Sequence, residues 1–248
     1  MSTGSFWLPV RPFGLTSHGY WEKEPDCPYL AHTLRKISLS YNLIIFQEFN
    51  MTYGVNAPLG LQAATYGISA PWSGGFQVFN ITPNYGTALF LGDLVTFTNG
   101  QLVRYAAGGN SPCGVFWGCT FTDASGIVQI QKYWPAAQAV KTGTYPVANV
   151  ITDPNTVFSI QASNTVAWSQ LDKNADVTFA TSGNPMTGES GMMLDTTTIA
   201  TTNTLPLHII AFDPIPGNVP TPGGTSSAYA NVLVKLNNTT INAGSTGV

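Results

Sequence analysis

The sequence predicts an all-β protein, a small β-barrel or β-sandwich with an extended N-terminal arm. Short runs rich in Val, Ile, Phe, Thr and Trp recur along most of the chain, and clusters of Gly, Pro, Asn and Asp separate them. Such runs at short and regular spacing are typical of a sandwich or a small barrel. No helical periodicity intervenes between them. Asn99-Gly100 is the strongest short hairpin signal in the chain.

The strand pattern is densest in residues 114–161, which divide into three apolar or alternating runs: residues 114–121, 127–134 and 156–161. Asp123 and Gly126 suit the first and last positions of a type I turn, which predicts that the first two runs form a hairpin. Pro154 has a fixed φ and cannot donate to a ladder, so the chain is expected to turn again at Asp153-Pro154-Asn155.

Further runs predict the remaining strands. We expect residues 88–91 and 94–98 to pair with each other through a turn at Gly92-Asp93. The other predicted strands are residues 37–49, 76–81, 101–106, 145–151, 164–171, 177–180, 207–212 and 229–236. The connecting segments include one or two helical turns at 29–36, loops at 50–75 and 183–190, a Thr-rich segment at 196–204 and a proline-rich excursion at 214–222.

Several of these motifs resemble one protein family. Residues 114–126 read Gly-Val-Phe-x-Gly-Cys-x-Phe-x-Asp-x-x-Gly and are followed by Tyr133-Trp134-Pro135 and by Asp153-Pro154-Asn155-x-Val-Phe158. These motifs look like those of the capsid decoration, or cement, proteins of tailed bacteriophages. Residues 207–213 and 231–238 are similar to the closing strands of that family, so the resemblance covers roughly residues 86–238.

The resemblance implies a structural protein of the virion. It would bind the outside of a phage head, with the major capsid protein as its partner, and stabilise contacts between capsomers. It would be made in the cytoplasm of a host bacterium. We expect the chain to divide into residues 1–83, an N-terminal arm and strand/loop region, and residues 84–248, a barrel or sandwich decoration domain. The resemblance does not extend to residues 1–83, so the capsid-anchoring role of that region is predicted from its own sequence.

The N-terminal segment, residues 1–28, alternates aromatic residues with Pro and Gly and has no periodicity. Such a segment cannot bury its aromatic side chains by itself, so we expect it to lie extended in a groove of a partner or of its own domain. An ordered loop packed on its own barrel is the alternative. The predicted capsid or oligomer contacts are Phe6, Trp7, Phe13, Tyr20 and Trp21.

The charge content points to an assembled protein. Charged residues make up only 8% of the chain, against about 25% in a typical soluble domain. A surface so poor in charge suits a protein that neighbours cover. We therefore expect a homo-oligomer, and the resemblance favours a trimer over a dimer because decoration proteins commonly sit on capsid symmetry axes.

The same composition argues against other partners. The formal net charge of -3 offers no basic footprint for nucleic acid. No apolar run reaches the ~18 residues of a membrane span. The N-terminus has no cationic region followed by a long apolar one, so we expect no signal peptide.

The candidates for chemistry are weak. Gly188-Glu189-Ser190-Gly191 resembles a nucleophile elbow, but its second Gly falls one place early. Ser190 could form a triad with His208 and Asp213, although a lone His in an apolar strand is more often a hydrogen-bonded core residue. His18, Cys27 and His32 match no zinc spacing, and no nucleotide-binding motif occurs. The sequence therefore predicts no enzyme, no metal and no cofactor.

Cysteine and tryptophan residues support two further predictions. Cys113 and Cys119 bracket one predicted strand and lie too far apart for a disulfide, so we expect free thiols, with Cys119 in the core. Trp72, Trp117 and Trp134 would form a sugar-binding platform if they were exposed, although alternate aromatic residues in a β protein are core more often than platform. A host-surface glycan-binding head or tail protein is thus the alternative function.

Overall fold

The computed structural model describes residues 54–67, 70–109, 111–240, 243–244 and 246–247. Within these ranges the chain is all β, as predicted, and its only helix is a 3₁₀ turn at Trp168–Gln170. The strands are β1 (Gln62–Tyr66), β2 (Ala70–Pro71), β3 (Gln77–Asn80), β4 (Leu94–Thr98), β5 (Gln101–Arg104), β6 (Gly114–Thr122), β7 (Val128–Gln131), β8 (Val147–Ile151), β9 (Thr156–Gln161), β10 (Asn174–Phe179), β11 (Met192–Ala200), β12 (Leu207–Phe212) and β13 (Asn231–Leu236).

Two antiparallel sheets pack against each other. The first sheet has the order β11-β10-β12-β13-β9-β1-β2, and the second has the order β3-β8-β6-β4-β5 with β7 added to β6. Each sheet curls, as shown by isolated bridges between segments that are not adjacent in the strand order of the sheet. Ala162 pairs with Leu194 in the first sheet, and Ile81 pairs with Leu102 beside the second.

The described part of the chain has two apolar cores, and the second sheet contributes to both. Leu94, next to Val95 in β4, packs with the inner face of the first sheet, whereas Val95 packs inside the second sheet. Val115 and Phe116 divide in the same way. Because successive side chains of a strand point to opposite faces, this part of the second sheet is buried on both sides. That explains why apolar residues stand next to each other at Leu94-Val95 and at Val115-Phe116 instead of alternating with polar ones.

The two predicted hairpins with clear turn residues are confirmed. β6 pairs with β7, with Thr120 opposite Ile130, and the Gly126 amide donates to the Asp123 carbonyl at 2.9 Å. β4 pairs with β5 across Asn99-Gly100, and both turn residues have positive φ, 51° and 77°. Positive φ at both positions is the signature of a type I′ turn, which Asn-Gly favours.

The turn at Asp153-Pro154 has a larger role than a local reversal. β8 before it belongs to the second sheet, and β9 after it belongs to the first. The Asn155 amide donates to Asp153 Oδ1 at 2.8 Å, which orders the turn. This segment is therefore the corner at which the chain passes between the sheets.

Two predicted strands are wrong. Residues 88–91 do not pair with β4, because Leu89 bridges to Trp134 and Leu91 to Glu189. Residues 164–171 form no strand, because the chain makes an isolated bridge at Ala167 and then the 3₁₀ turn. Conversely, residues 196–200 of the Thr-rich segment, which the sequence predicts as a connection, belong to the nine-residue strand β11. The predicted loop at residues 183–190 contains no strand.

Residues before the predicted boundary at 83/84 also contribute to the sheets. β1 pairs with β9, and β3 pairs with β8. The anchoring role given to residues 1–83 stays a prediction. The predicted arm, the helical turns at 29–36 and the strand at 37–49 lie outside the described residues. No helix in the described part of the chain is long and apolar enough to cross a membrane.

Candidate functional site

An exposed sheet face extends across β3, β8, β6 and β7. Successive register partners place Asn80, Val147, Thr120 and Ile130 in one row across these four strands. Neighbouring rows add residues of the same alternation. We call this surface the outer face and define it by Val78, Asn80, Thr120, Thr122, Val128, Ile130, Val147 and Asn149.

The outer face is apolar at its most exposed points and carries no charged side chain among its eight members. Ile130 is 81% exposed, Val128 63% and Val78 57%. Tyr145, two residues before Val147 on the same alternation, is also exposed. Single exposed apolar residues are ordinary, but several on one sheet face mark an interaction surface. The opposite side of these strands is buried and includes Cys119, Phe121 and Ala148.

The hairpin that presents Val128 and Ile130 is held by Asp123. Its Oδ1 atom accepts the amides of Ser125 and Ile127 at 2.9 and 3.0 Å, and its Oδ2 atom accepts Gln129 Nε2 at 3.1 Å. The amide of Ile127, and next the side chain of Gln129, lower the pKa of the Asp123 carboxyl. The turn is therefore built by local hydrogen bonds and not by burial.

A buried polar cluster joins the β4–β5 hairpin to the loop before β11. Arg104 Nη2 donates to Asp93 Oδ1 at 3.1 Å, and Arg104 Nε lies 3.0 Å from Oδ2. Ser190 Oγ donates to the same carboxylate at 2.5 Å, and the Phe90 amide donates to Oδ2 at 2.9 Å. Burial raises the pKa of Asp93, and Arg104 with these donors opposes that rise. Every partner donates, which is the arrangement that a carboxylate requires.

The predicted triad residues have different partners. Ser190 contacts Asp93, and it is only 1% exposed. His208 contacts Asn174 and Asp172 at 2.7 and 3.0 Å. Asp213 accepts from Ser159 Oγ at 2.6 Å. Each of the three residues therefore has a hydrogen-bond partner outside the predicted triad. The absence of enzymatic activity stays a prediction.

Close packing explains the glycines of the Gly-Glu-Ser-Gly motif. A Cβ atom at Gly191 would lie 2.3 Å from the Thr181 carbonyl oxygen, and one at Gly188 would lie 2.9 Å from Lys132 Cβ. Gly60 has the same kind of constraint, since its Cβ would lie 2.6 Å from Ser190 Cβ. The motif therefore lies where neighbouring segments of the chain pack closely, and its Ser190 side chain is buried there.

The cysteine prediction is confirmed for the two described residues. Cys113 and Cys119 are both free and buried. Burial raises the pKa of each thiol to about 12. Because the thiolate is the reactive form, neither side chain is suited to nucleophilic or redox chemistry near neutral pH.

No group of three His, Cys, Asp or Glu residues in the described ranges could hold a metal ion. The weak candidates His18, Cys27 and His32 lie outside those ranges, as do the predicted contact residues Phe6, Trp7, Phe13, Tyr20 and Trp21. Predictions about these residues therefore stay predictions.

The structure does not form the three-tryptophan platform. Trp134 is completely buried and packs edge-on against Phe121 in the core of the second sheet. Trp72 and Trp117 are partly buried and contact each other in a T-shaped arrangement, with ring centroids 4.8 Å apart. Trp117 occupies a β-bulge of β6, between the register pairs at Phe116 and Gly118.

Trp72 instead lines a cleft at the β8–β9 corner. The cleft has a volume of about 440 Å³ and is bounded by the segment after β2 and by the residues around the corner. Its described lining residues are Trp72, Ser73, Gly74, Gly75, Phe76, Gln77, Thr152, Asp153 and Thr156.

The sequence reading missed the outer face and the Asp93 cluster. A signal for the outer face exists in Val128-Gln-Ile-Gln131, where the apolar members of the alternation are exposed and the glutamines are less so. The β4–β5 hairpin brings Asp93 close to Arg104. Nothing in the local sequence marks Ser190 as their partner, because it lies 97 positions from Asp93 and meets it only through tertiary structure.

Comparison of the chain with protein-family models, curated proteins and solved structures gives no significant match.

Proposed function

We propose that this protein is a capsid decoration protein that binds the outside of a tailed-phage head and stabilises contacts between capsomers. The outer face carries the proposal at the structural level, since it is an uncharged and partly apolar surface built on four paired strands. The low charge content of the chain and the sequence motifs of residues 114–238 support the same role.

The physical mechanism is a clamp. Apolar surface buried across a boundary between capsomers contributes about 25 cal/mol per Å². Many copies on one particle multiply a modest gain per copy, because each bound copy adds its contribution to the same shell. The proposed partner is the major capsid protein, and the Thr and Asn side chains of the outer face would supply hydrogen bonds at the contact.

Co-sedimentation of the purified protein with undecorated phage heads tests the proposal. We expect saturable binding by the full chain and a loss of at least about tenfold in affinity for Ile130→Glu, because a charge would be buried at an apolar contact. Met186→Glu is the matched control, since Met186 is 93% exposed on the loop before β11.

Ile130 is a surface residue, so the Ile130→Glu variant should keep the circular dichroism spectrum of the parent protein. Equal binding by the parent and this variant would remove the outer face from the contact. No binding by the parent protein would overturn the proposal itself.

The oligomeric state is part of the proposal. We expect a closed homo-oligomer because the chain has so few charges, and a trimer because decoration proteins, which its motifs resemble, commonly sit on capsid symmetry axes. Light scattering at micromolar concentration should give three times the chain mass of 26.4 kDa. A monomer in solution together with monomeric density on the particle would contradict this expectation.

A glycan-binding head or tail protein is the second candidate function. One observation favours it, namely the cleft beside Trp72, in which aromatic and polar side chains converge.

A further inference from the structure

The cleft beside Trp72 has the dimensions of a small-molecule site. Its volume of about 440 Å³ falls within the ~300–1,000 Å³ typical of ligand pockets. It lies where the chain leaves β8 for β9, and the loop between β2 and β3 also lines it. A Cβ atom at Gly74 or Gly75 would meet no atom within 4 Å, so the side of the cleft at these glycines is open.

Two aromatic side chains stand at this cleft. Trp72 is held from behind by its T-shaped contact with Trp117, at an interplanar angle of 65°. Phe76 is 51% exposed. A fixed indole ring and an accessible phenyl ring offer flat apolar surfaces. The C–H face of a pyranose ring stacks on surfaces of this kind, and its hydroxyl groups then point to the surrounding polar groups.

The remaining lining residues supply such polar groups. Asp153 uses Oδ1 for the Asn155 amide, and its carboxylate can accept further hydrogen bonds. Gln77 is exposed and offers an amide. Thr156 is 1% exposed, and its Oγ1 atom has no hydrogen-bond partner among the described residues. A buried hydroxyl without a partner costs about 1–3 kcal/mol. Because the Thr156 hydroxyl is buried, Asp153 and Gln77 are the polar groups that a ligand in the cleft would contact.

The charge of the cleft selects among carbohydrates. Among its described lining residues only Asp153 is charged. A carboxylate repels uronic acids and other acidic sugars and accepts hydrogen bonds from neutral ones. We propose that this cleft is a binding site for neutral carbohydrate, stacked on Trp72 and hydrogen-bonded to Asp153 and Gln77. This activity is separate from capsid attachment and does not depend on it.

Titration of the purified full-length protein with maltoheptaose, cellohexaose, chitohexaose and hexagalacturonate tests the site, with tryptophan fluorescence and calorimetry as readouts. We expect saturable binding of at least one of the three neutral oligosaccharides and at least about tenfold weaker binding of hexagalacturonate. Asp153→Asn should reduce the discrimination against hexagalacturonate.

Substitutions locate the binding. Trp72→Ala and Phe76→Ala should each weaken binding of the neutral oligosaccharide by about tenfold or more. Tyr145→Ala is the matched control, because Tyr145 is an exposed aromatic residue outside the cleft lining. Trp72 packs on the core, so Gln77→Ala at an exposed position provides a second test if Trp72→Ala does not fold.

Three results would overturn the proposal: no saturable binding of any neutral oligosaccharide at about 10 mM, a Kd that the cleft substitutions leave unchanged, or tighter binding of hexagalacturonate. These titrations use no phage particles. Failure here therefore leaves the co-sedimentation result intact, and failure of co-sedimentation leaves this result intact.

Discussion

At the scale of single residues, Arg104 neutralises the charge of a fully buried carboxylate. Asp93 is 0% exposed, and Arg104 provides the compensating charge while its guanidinium also lies 4.2 Å from the centroid of the Phe179 ring. Removing one partner of a buried ion pair leaves an uncompensated charge. The cluster of Asp93, Arg104 and Ser190 therefore stabilises the fold, although a serine next to a carboxylate is also a combination that occurs in catalytic sites.

Arg104→Met should lower the free energy of unfolding by about 3–5 kcal/mol near neutral pH. Without Arg104 the burial of Asp93 raises the pKa of that carboxyl further, so the folded state retains a proton that the unfolded state releases. Stability should then fall as pH rises from the ordinary pKa of 3.8 through the raised pKa of the folded state. Urea denaturation at several pH values between 4 and 8 measures both effects.

Lys132→Met is the control for Arg104→Met. Lys132 forms a surface pair with Glu189 at 3.4 Å, and its side chain is 64% exposed. Lys132→Met should lower the free energy of unfolding by less than about 1 kcal/mol. Equal costs for the two substitutions would mean that the Asp93 pair contributes no more than a surface pair.

The buried thiols predict a loss of stability in alkali. Burial raises the pKa of Cys113 and Cys119 from 9.0 to about 12, so above pH 9 the unfolded state releases protons that the folded state keeps. The free energy of unfolding should fall by about 1.4 kcal/mol per pH unit for each thiol. The double variant Cys113→Ala/Cys119→Ala should show a shallower slope in urea titrations between pH 9 and 11. An unchanged slope would assign the effect to other groups, such as Tyr105, whose pKa burial also raises.

Residue roles were the least predictable part of the molecule. Cys119 could be placed in the core from its strand position, because alternation along a strand is a local property. The partners of Ser190 could not, since Asp93 lies 97 positions away and meets it only after both sheets have formed. Trp72 was singled out from its residue type, but the cleft beside it depends on the β8–β9 corner.

At the scale of elements, the β4–β5 hairpin isolates the role of turn conformation. Gly100 has φ 77°, and a Cβ atom there would meet nothing within 4 Å. Gly100→Ala should therefore lower the free energy of unfolding by about 1–2 kcal/mol through backbone strain alone. Gly86→Ala is the control, because that site is equally open and its φ is not positive. Urea denaturation that gave equal values for both variants would contradict this assignment.

Elements were predictable wherever local chemistry decided them. β9 and β12 match the predicted residues 156–161 and 207–212 because each is a short run of β-forming residues bounded by turns. Residues 164–171 failed for a tertiary reason: the amides of Val166 and Trp168 donate to Ser226 Oγ and to the Gly224 carbonyl, and not to a strand of a ladder. β11 was hidden by its threonines, which lie at partly exposed positions of a long strand.

At the scale of the whole molecule, the outer face and the N-terminal arm are two candidate anchors to the capsid. The outer face belongs to the second sheet, whose strands the structure describes. The arm is predicted from sequence alone, from its aromatic residues and its prolines. If the outer face is the anchor, Ile130→Glu should weaken binding to particles more than deletion of the arm does. If the arm is the anchor, the deletion should have the larger effect.

The last prediction is that residues 1–28 anchor the protein to the capsid. Phe6, Trp7, Phe13, Tyr20 and Trp21 have no pattern that could bury them within the segment, and aromatic anchors dominate the energetics of interfaces. Extended at about 3.3 Å per residue, the arm spans up to roughly 90 Å, enough to pass from one capsomer to the next. Its prolines reduce the entropy lost on ordering because their φ is already fixed. Deletion of residues 1–26 should leave the far-ultraviolet circular dichroism of the sheets unchanged and abolish co-sedimentation with undecorated heads. If the truncated protein saturates the particles with undiminished affinity, and Ile130→Glu in the full chain does not, the anchor is the outer face and not the arm.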